Sequence, residues 1–191
     1  MQQHGPWKIL QQRPIHADPW VTLRQDDVIR PDGDPGTYTV VHVAPGVCVL
    51  AMDDERNVYL TEEFHYGVGR DTLEGVSGGS EAGEDTQQTA ARELQEEIGI
   101  VAERYTKLGT VDPLTSCLVS PTDLYLAEGL RFVEPSPEGT EVIRRVKVSL
   151  AEAVEKVMSS EITHGPSCVL ILKTHLHLMS RYDLNQPLAS G

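Results

Sequence analysis

The chain has 191 residues, enough for one substantial domain or for one domain with a small appendage. Its net charge of -13 argues against binding nucleic acid through a general basic surface, and its hydrophobic content of 39% is ordinary for a soluble globular protein. No stretch approaches the ~20 apolar residues of a membrane span, and the opening MQQHGPWKIL lacks the basic-then-apolar layout of a signal peptide. Taken in chain order, residues 7–15, 20–30 and 37–43 read as short extended segments separated by turns rich in Asp, Pro and Gly. Residues 47–52 and 58–63 are apolar runs joined by a polar five-residue turn, the pattern of a β-hairpin. The glycine-rich stretch 67–83 that follows reads as irregular.

The clearest helix begins at Asp85. That residue suits an N-cap, with Gln88 three residues on as its capping-box partner. Ala90, Ala91, Leu94 and Ile98 form an apolar stripe at helical spacing, and Gly99 is placed to end the helix. Residues 105–111, 123–128 and 142–148 read as further strands. Ser149 with Glu152 opens a helix to about residue 158, and Pro166 suits the first turn of a last helix to about residue 179. Strands interleaved with these helices predict an α/β or α+β layered domain, with the N-terminal strands as an appendage. Cys48, Cys117 and Cys168 are odd in number and far apart, which argues against a disulfide framework or a zinc site and fits a reducing cytoplasm.

Residues 78–100 read GGSEAGEDTQQTAARELQEEIGI. On the predicted helix Glu93, Glu96 and Glu97 stand at i, i+3 and i+4, so their carboxylates share one face. Such crowding is repulsive unless a divalent cation supplies the missing charge, and oxygen-only ligands favour Mg²⁺ or Mn²⁺. The glycines just upstream, Gly75, Gly78, Gly79 and Gly83, let backbone approach a ligand closely.

This stretch resembles the Nudix box, G-x5-E-x7-R-E-U-x-E-E-x-G-U with U aliphatic. Gly78, Glu84, Arg92, Glu93, Leu94, Glu96, Glu97, Gly99 and Ile100 fill its fixed places. The resemblance implies an α/β/α sandwich with a mixed sheet and a strand-loop-helix that holds metal. It implies Glu93 and Glu97 as main ligands, Glu96 beside them, and the backbone carbonyl of Ser77. It further implies Arg92 as the residue that orients the glutamates and Glu84 as a supporting acid. The implied activity is Mg²⁺-dependent hydrolysis of a pyrophosphate bond, with Mn²⁺ a possible substitute. A glutamate on a later loop is often the general base in related hydrolases; spacing favours Glu141, then Glu138.

Beyond the box, the N-terminal segments and the runs through residues 47–63, 126–130 and 141–152 look like the ADP-ribose and nucleoside-diphosphate-sugar pyrophosphatase branch. That likeness implies two regions. Residues 1–45 form a β region that builds a homodimer and lends substrate contacts to the partner chain; residues 46–191 form the hydrolase domain. The substrate is then a small nucleotide, most readily ADP-ribose or a nucleotide sugar, cut into two monophosphates. Candidate substrate contacts are Trp20, His65, Arg70, Gly78 and Gly79. Trp20 has an aromatic face suited to a base, but a core or dimer-interface role suits it better. Three places depart from the branch. His65 stands where it commonly carries a phosphate-contacting arginine, Thr115 where it carries a marker proline, and Val76-Ser77 where it carries Pro-Ala or Pro-Gly. Metal chemistry does not depend on these positions; the identity of the sugar or base does. Other readings are a metabolite-sensing module without turnover, and a hydrolase of dinucleoside polyphosphates or coenzyme A derivatives. His164, His175 and His177 read as ordinary packing or surface histidines.

Overall fold

Turn-separated segments that alternate polar and apolar residues over the first 43 positions build an antiparallel ladder. It comprises β1 (Gln2–His4), β2 (Trp7–Ala17), β3 (Val21–Ile29) and β4 (Pro35–Val43), each antiparallel to the next. A short strand from much later in the chain, β10 (Leu118–Val119), adds to β4 in parallel and completes a five-stranded sheet. Ile9 and Val28 are buried in this sheet, and Trp7 meets Tyr38 edge-on with ring centroids 5.4 Å apart. The computed structural model describes residues 1–81, 83–137, 139 and 142–184. It divides into two units: Met1–Pro45 with Asp112–Pro121, and Gly46–Val111 with Thr122–Gly191. Segment 112–121 therefore groups with the N-terminal strands rather than with the rest of the sequence that follows residue 45.

The second unit is built on a seven-stranded mixed sheet. Its strands are β5 (Gly46–Met52), β6 (Asn57–His65), β7 (Arg70–Glu74), β8 (Val76–Gly79), β9 (Ile100–Val111), β11 (Thr122–Phe132) and β12 (Arg144–Ser149). The order is β12-β6-β5-β11-β9, with β7 on β6 and β8 on β5. Among the described residues, only the β5–β11 pair of this sheet is parallel. Among the described residues three helices accompany the strands: α1 (Thr86–Ile98), α2 (Leu150–Met158) and α3 (Gly165–Leu184).

Alternation along β5 shows how the layers form, because successive side chains leave opposite faces of a strand. Cys48, Leu50 and Met52 pack with Leu150 and Ala153 of α2 and Leu170 and Ile171 of α3. Val47, Val49 and Ala51 pack with Ala90, Leu94 and Ile98 of α1. The sheet is thus a filling between α1 and the α2–α3 pair, the three-layer sandwich expected. Among the described residues, no helix is long and apolar enough to cross a membrane.

Helix α1 forms as its sequence predicts. The Asp85 carboxylate accepts from the backbone amides of Gln87 (3.0 Å) and Gln88 (2.9 Å), and the Gln88 side chain accepts from the Asp85 amide at 3.0 Å. Gly99 closes the helix in the left-handed region at φ 63°, which a side chain resists. Asp85→Ala is expected to remove about 1 kcal/mol of stability, read as a lower urea midpoint at unchanged slope.

Several boundaries differ from the sequence-based expectation. The stretch 67–83 is not irregular throughout, since it contains β7 and β8. Strand β9 begins at Ile100 rather than near residue 105, and β11 runs on to Phe132. Strand β12 begins at Arg144 rather than 142, and α3 extends to Leu184.

Candidate functional site

Strand β8 delivers the glycine end of the acidic segment. Ser77 pairs with Cys48, Gly78 with Val47 and Gly79 with Gly46 across the β5–β8 ladder. Helix α1 lies over these strands through Ala90, Leu94 and Ile98, which brings its glutamates back onto the β8 backbone. The approach is very close. A Cβ added to Gly78 would lie 2.0 Å from both Cδ and Oε1 of Glu93. Only glycine admits this carboxylate, so the carboxylate and the strand's backbone share one small space.

Arg92 organises the rest. Its Nε donates to Glu84 Oε1 at 3.0 Å and its Nη2 to Glu84 Oε2 at 3.2 Å. Nη1 donates to Glu96 Oε2 at 3.0 Å and also stands 3.0 Å from Glu93 Oε1. Nη2 reaches the Gly79 carbonyl at 3.0 Å, tying the helix to β8. Its hydrogen bonds with Glu84, then those with Glu96, raise the Arg92 pKa further above its already high value. The Arg92 hydrogen bond, followed by the Glu81 amide, holds the Glu84 carboxyl down at about 2. A depressed carboxyl stabilises the fold above its unfolded pKa and is lost only as pH falls towards 2, so this link stays intact through the neutral range.

Glu97 directly follows Glu96 on α1. Burial, first of all, pushes the Cys48 thiol up to about 11, and the charges of Glu74 and Glu97 add to the rise. The site brings Glu84, Glu93 and Glu96 onto Arg92 beside Gly78 and Gly79, with Ser77 the preceding residue of β8 and Glu97 the following residue of α1. Three carboxylates, those of Glu84, Glu93 and Glu96, face one guanidinium. Among the described residues, no three His, Cys, Asp or Glu side chains are already drawn into a metal-ligand set. Glu93, Glu96 and Glu84 close on Arg92 instead of on one another. The donor chemistry, carboxylate oxygens beside backbone carbonyls with a charge deficit, nevertheless fits a hard divalent cation.

Residues 133–136 dock on the C-terminal end of α1. The Val133 amide donates to the Gly99 carbonyl (2.8 Å) and the Ser136 amide to the Glu96 carbonyl (2.9 Å). This segment leads towards the expected general bases Glu138 and Glu141, which lie outside the described residues.

His65 and Arg70 face each other across the β6–β7 ladder. His65 Nε2 lies 3.4 Å from Glu74 Oε1, and His164 Nδ1 lies 3.0 Å from Glu74 Oε2. Arg70 donates to Thr163 Oγ1 at 2.8 Å. Burial lowers the His164 pKa while the Glu74 charge opposes that. His164 Nδ1 also meets Ser167 Oγ at 2.8 Å, and Ser167 Oγ in turn accepts from the Gly75 amide at 2.8 Å. His164 thus belongs to a bonded cluster at the joint of β7 and β8, which its place in the sequence did not suggest. Trp20, in the other unit, is 78% exposed, so it is not a core residue there.

A pattern for the NUDIX domain matches residues 42–159. The chain belongs to the NUDIX family. A second pattern, the N-terminal domain of nucleoside diphosphate sugar hydrolases, matches residues 7–41 of this Nudix hydrolase. It is 32% identical to an ADP-ribose pyrophosphatase of Mycobacterium tuberculosis (strain ATCC 25618 / H37Rv) over 84% of this chain and 79% of that one. It is 29% identical to an ADP-ribose pyrophosphatase of Bacillus subtilis (strain 168) over 81% of this chain and 85% of that one. The crystal structure of an ADP compounds hydrolase superposes with a TM-score of 0.82 at 18% identity, covering 95% of this chain and 98% of that one, which speaks for the fold. Nudix hydrolases generally work with divalent cations, in keeping with the donor set here.

Proposed function

We propose that this Nudix hydrolase cuts the pyrophosphate bond of ADP-ribose or a nucleotide sugar with Mg²⁺, Mn²⁺ being a possible substitute. The observation that carries this is the Glu93 carboxylate seated on Gly78, in a cluster with Glu84 and Glu96 organised by Arg92. Similarity to ADP-ribose pyrophosphatases supports the substrate class. Water adds to one phosphorus, the bridging P–O bond breaks, and two monophosphates leave; from ADP-ribose these are AMP and ribose 5-phosphate. Glu93, Glu97 and Glu96, with the Ser77 carbonyl, would hold the cation. When bound, it supplies charge neutralisation on the phosphate oxygens and water activation at neutral pH.

The chain's own groups do the rest. Arg92 holds Glu93 and Glu96 in one orientation, and Glu84 holds Arg92. Gly78 and Gly79 leave the backbone open to the substrate, with His65, Arg70 and Trp20 as contacts. Glu141, then Glu138, takes the proton from the attacking water. The test is incubation with Mg²⁺ and a panel of ADP-ribose, nucleotide sugars, dinucleotides, coenzyme A and nucleoside triphosphates, with release of phosphomonoester measured. Turnover concentrated on the first two classes is expected. Saturable binding of one compound with no turnover of any would replace the enzyme with a sensor.

The N-terminal unit, residues 1–45, is proposed as a homodimer-forming region of a cytoplasmic enzyme, and the match at residues 7–41 supports this. Sedimentation at micromolar concentration is expected to give twice the 21.0 kDa chain mass; a clean monomer would overturn it.

A further inference from the structure

Arg145 differs from the cations around it. Arg104 pairs with Glu128 (3.1 Å), Lys107 with Asp123 (2.5 Å) and Lys147 with Asp53 (2.9 Å), and Arg144 pairs with Glu62. No carboxylate among the described residues forms an ion pair with Arg145. Instead its guanidinium is held by neutral groups. Nη1 donates to the carbonyl of Ile98, the last residue of α1, at 2.8 Å. The guanidinium carbon lies 5.0 Å from the centroid of the Phe132 ring, and Phe132 is braced by Tyr59 at 5.3 Å.

Its position follows from the ladder. Arg145 pairs with Thr61 and Lys147 with Tyr59, and residues two apart on a strand share a face. Tyr59 belongs to the core on the α1 side, so Arg145 is on the side of the sheet that carries α1. It stands where the C-terminus of α1, the end of β11 and the start of β12 meet. Just beyond β11, the Val133 and Ser136 amides are bonded to the carbonyls of Gly99 and Glu96. Ile98 directly follows Glu97 in α1.

We propose that Arg145 is a binding residue for the phosphate oxygens of the diphosphate substrate, and so a determinant of its affinity. This rests on the diphosphate-hydrolase reading of the site. An anionic substrate must approach four glutamates in a chain of net charge -13, and Arg92 is already engaged by three of them. A cation that no carboxylate among the described residues neutralises, at the end of that same helix, meets this need. Arginine carries five N–H donors in a planar fork. The bond to Ile98 uses one, the contact with the Phe132 ring uses none, and the side chain is exposed, so donors remain for a ligand. The fork is held before the ligand arrives, so little side-chain freedom is lost on binding.

The test separates binding from a simple helix-capping role. Arg145→Gln removes the charge and keeps an N–H for the Ile98 carbonyl; Arg145→Lys keeps the charge and loses the fork. For Arg145→Gln, KM for ADP-ribose and the inhibition constant of inorganic pyrophosphate are expected to rise about tenfold, with kcat within about twofold and melting unchanged. Arg145→Lys is expected to fall between. If melting drops while KM and pyrophosphate inhibition stay at wild-type values, Arg145 only caps α1 and the proposal is overturned. If Arg145→Gln does not fold, Phe132→Leu, which removes the stack alone, carries the same expectation, and an unchanged KM there overturns it. Should the wild-type enzyme turn over none of the panel, the hydrolase reading fails. Direct pyrophosphate binding to wild type and Arg145→Gln then still decides the role of Arg145: equal affinities overturn it.

Discussion

Replacing Glu97 by Gln is expected to abolish most of the activity while leaving the fold intact. The side chains are nearly isosteric, so the packing of α1 on β5 and β8 through Ala90, Leu94 and Ile98 is untouched. What changes is one negative charge beside the cluster in which Glu84, Glu93 and Glu96 stand against Arg92. Removing it relieves repulsion, so melting is expected to stay level or rise slightly, as often happens when a functional site is neutralised. Cation affinity moves the other way. A carboxylate oxygen is a far better ligand for a hard cation than an amide carbonyl, and the electrostatic contribution at stake is several kcal/mol, about three orders of magnitude in rate. Mn²⁺ binding followed by electron paramagnetic resonance gives a readout independent of turnover and is expected to weaken in parallel with kcat. Near-normal activity with near-normal Mn²⁺ affinity would remove Glu97 from the proposed ligand set.

That the acidic face can be read from sequence, while much around it cannot, has a physical reason. The capping box of Asp85 and Gln88, the stripe of Ala90, Leu94 and Ile98, and the Gly99 terminator are local: every partner lies within one helix. Local rules therefore suffice for α1 and for the shared face of Glu93, Glu96 and Glu97. Strands β7 and β8 obey no local rule. Their glycines suggest a loop, and only pairing with β6 and with Cys48 and Val49 of β5 makes them strands. The same holds for segment 112–121, which joins the N-terminal sheet because Leu118 pairs with Val41. Arg145 is the extreme case. Its hydrogen-bond partner is a backbone carbonyl 47 residues away, which no side-chain motif can encode. His164 looked ordinary because its partner Glu74 stands on another strand and Ser167 is informative only once bonded to the Gly75 amide.

Gly78→Ala tests the seat of the site rather than its charge. The added methyl would overlap Glu93 at 2.0 Å from both Cδ and Oε1 and 2.6 Å from Cγ, distances no packed carbon tolerates. The atoms it meets belong to the outer part of a flexible side chain, so Glu93 swings aside and the strand remains. Little stability is therefore at risk: Gly78 pairs with Val47 through its backbone, and alanine is no worse in a strand than glycine. Activity is another matter. Displacing Glu93 shifts a proposed ligand and breaks its 3.0 Å contact with Arg92, which also orients Glu96. A misplacement of about 1 Å can cost roughly 10²-fold in rate, so kcat is expected to fall by at least about 10²-fold with melting within a few degrees of wild type. Gly165→Ala, where an added Cβ meets nothing within 4 Å, is the matched control and is expected to keep normal turnover. If Gly78→Ala retains wild-type kcat, the carboxylate of Glu93 does not need its place against β8, and the geometry on which the proposed metal site rests would have to be drawn from other residues.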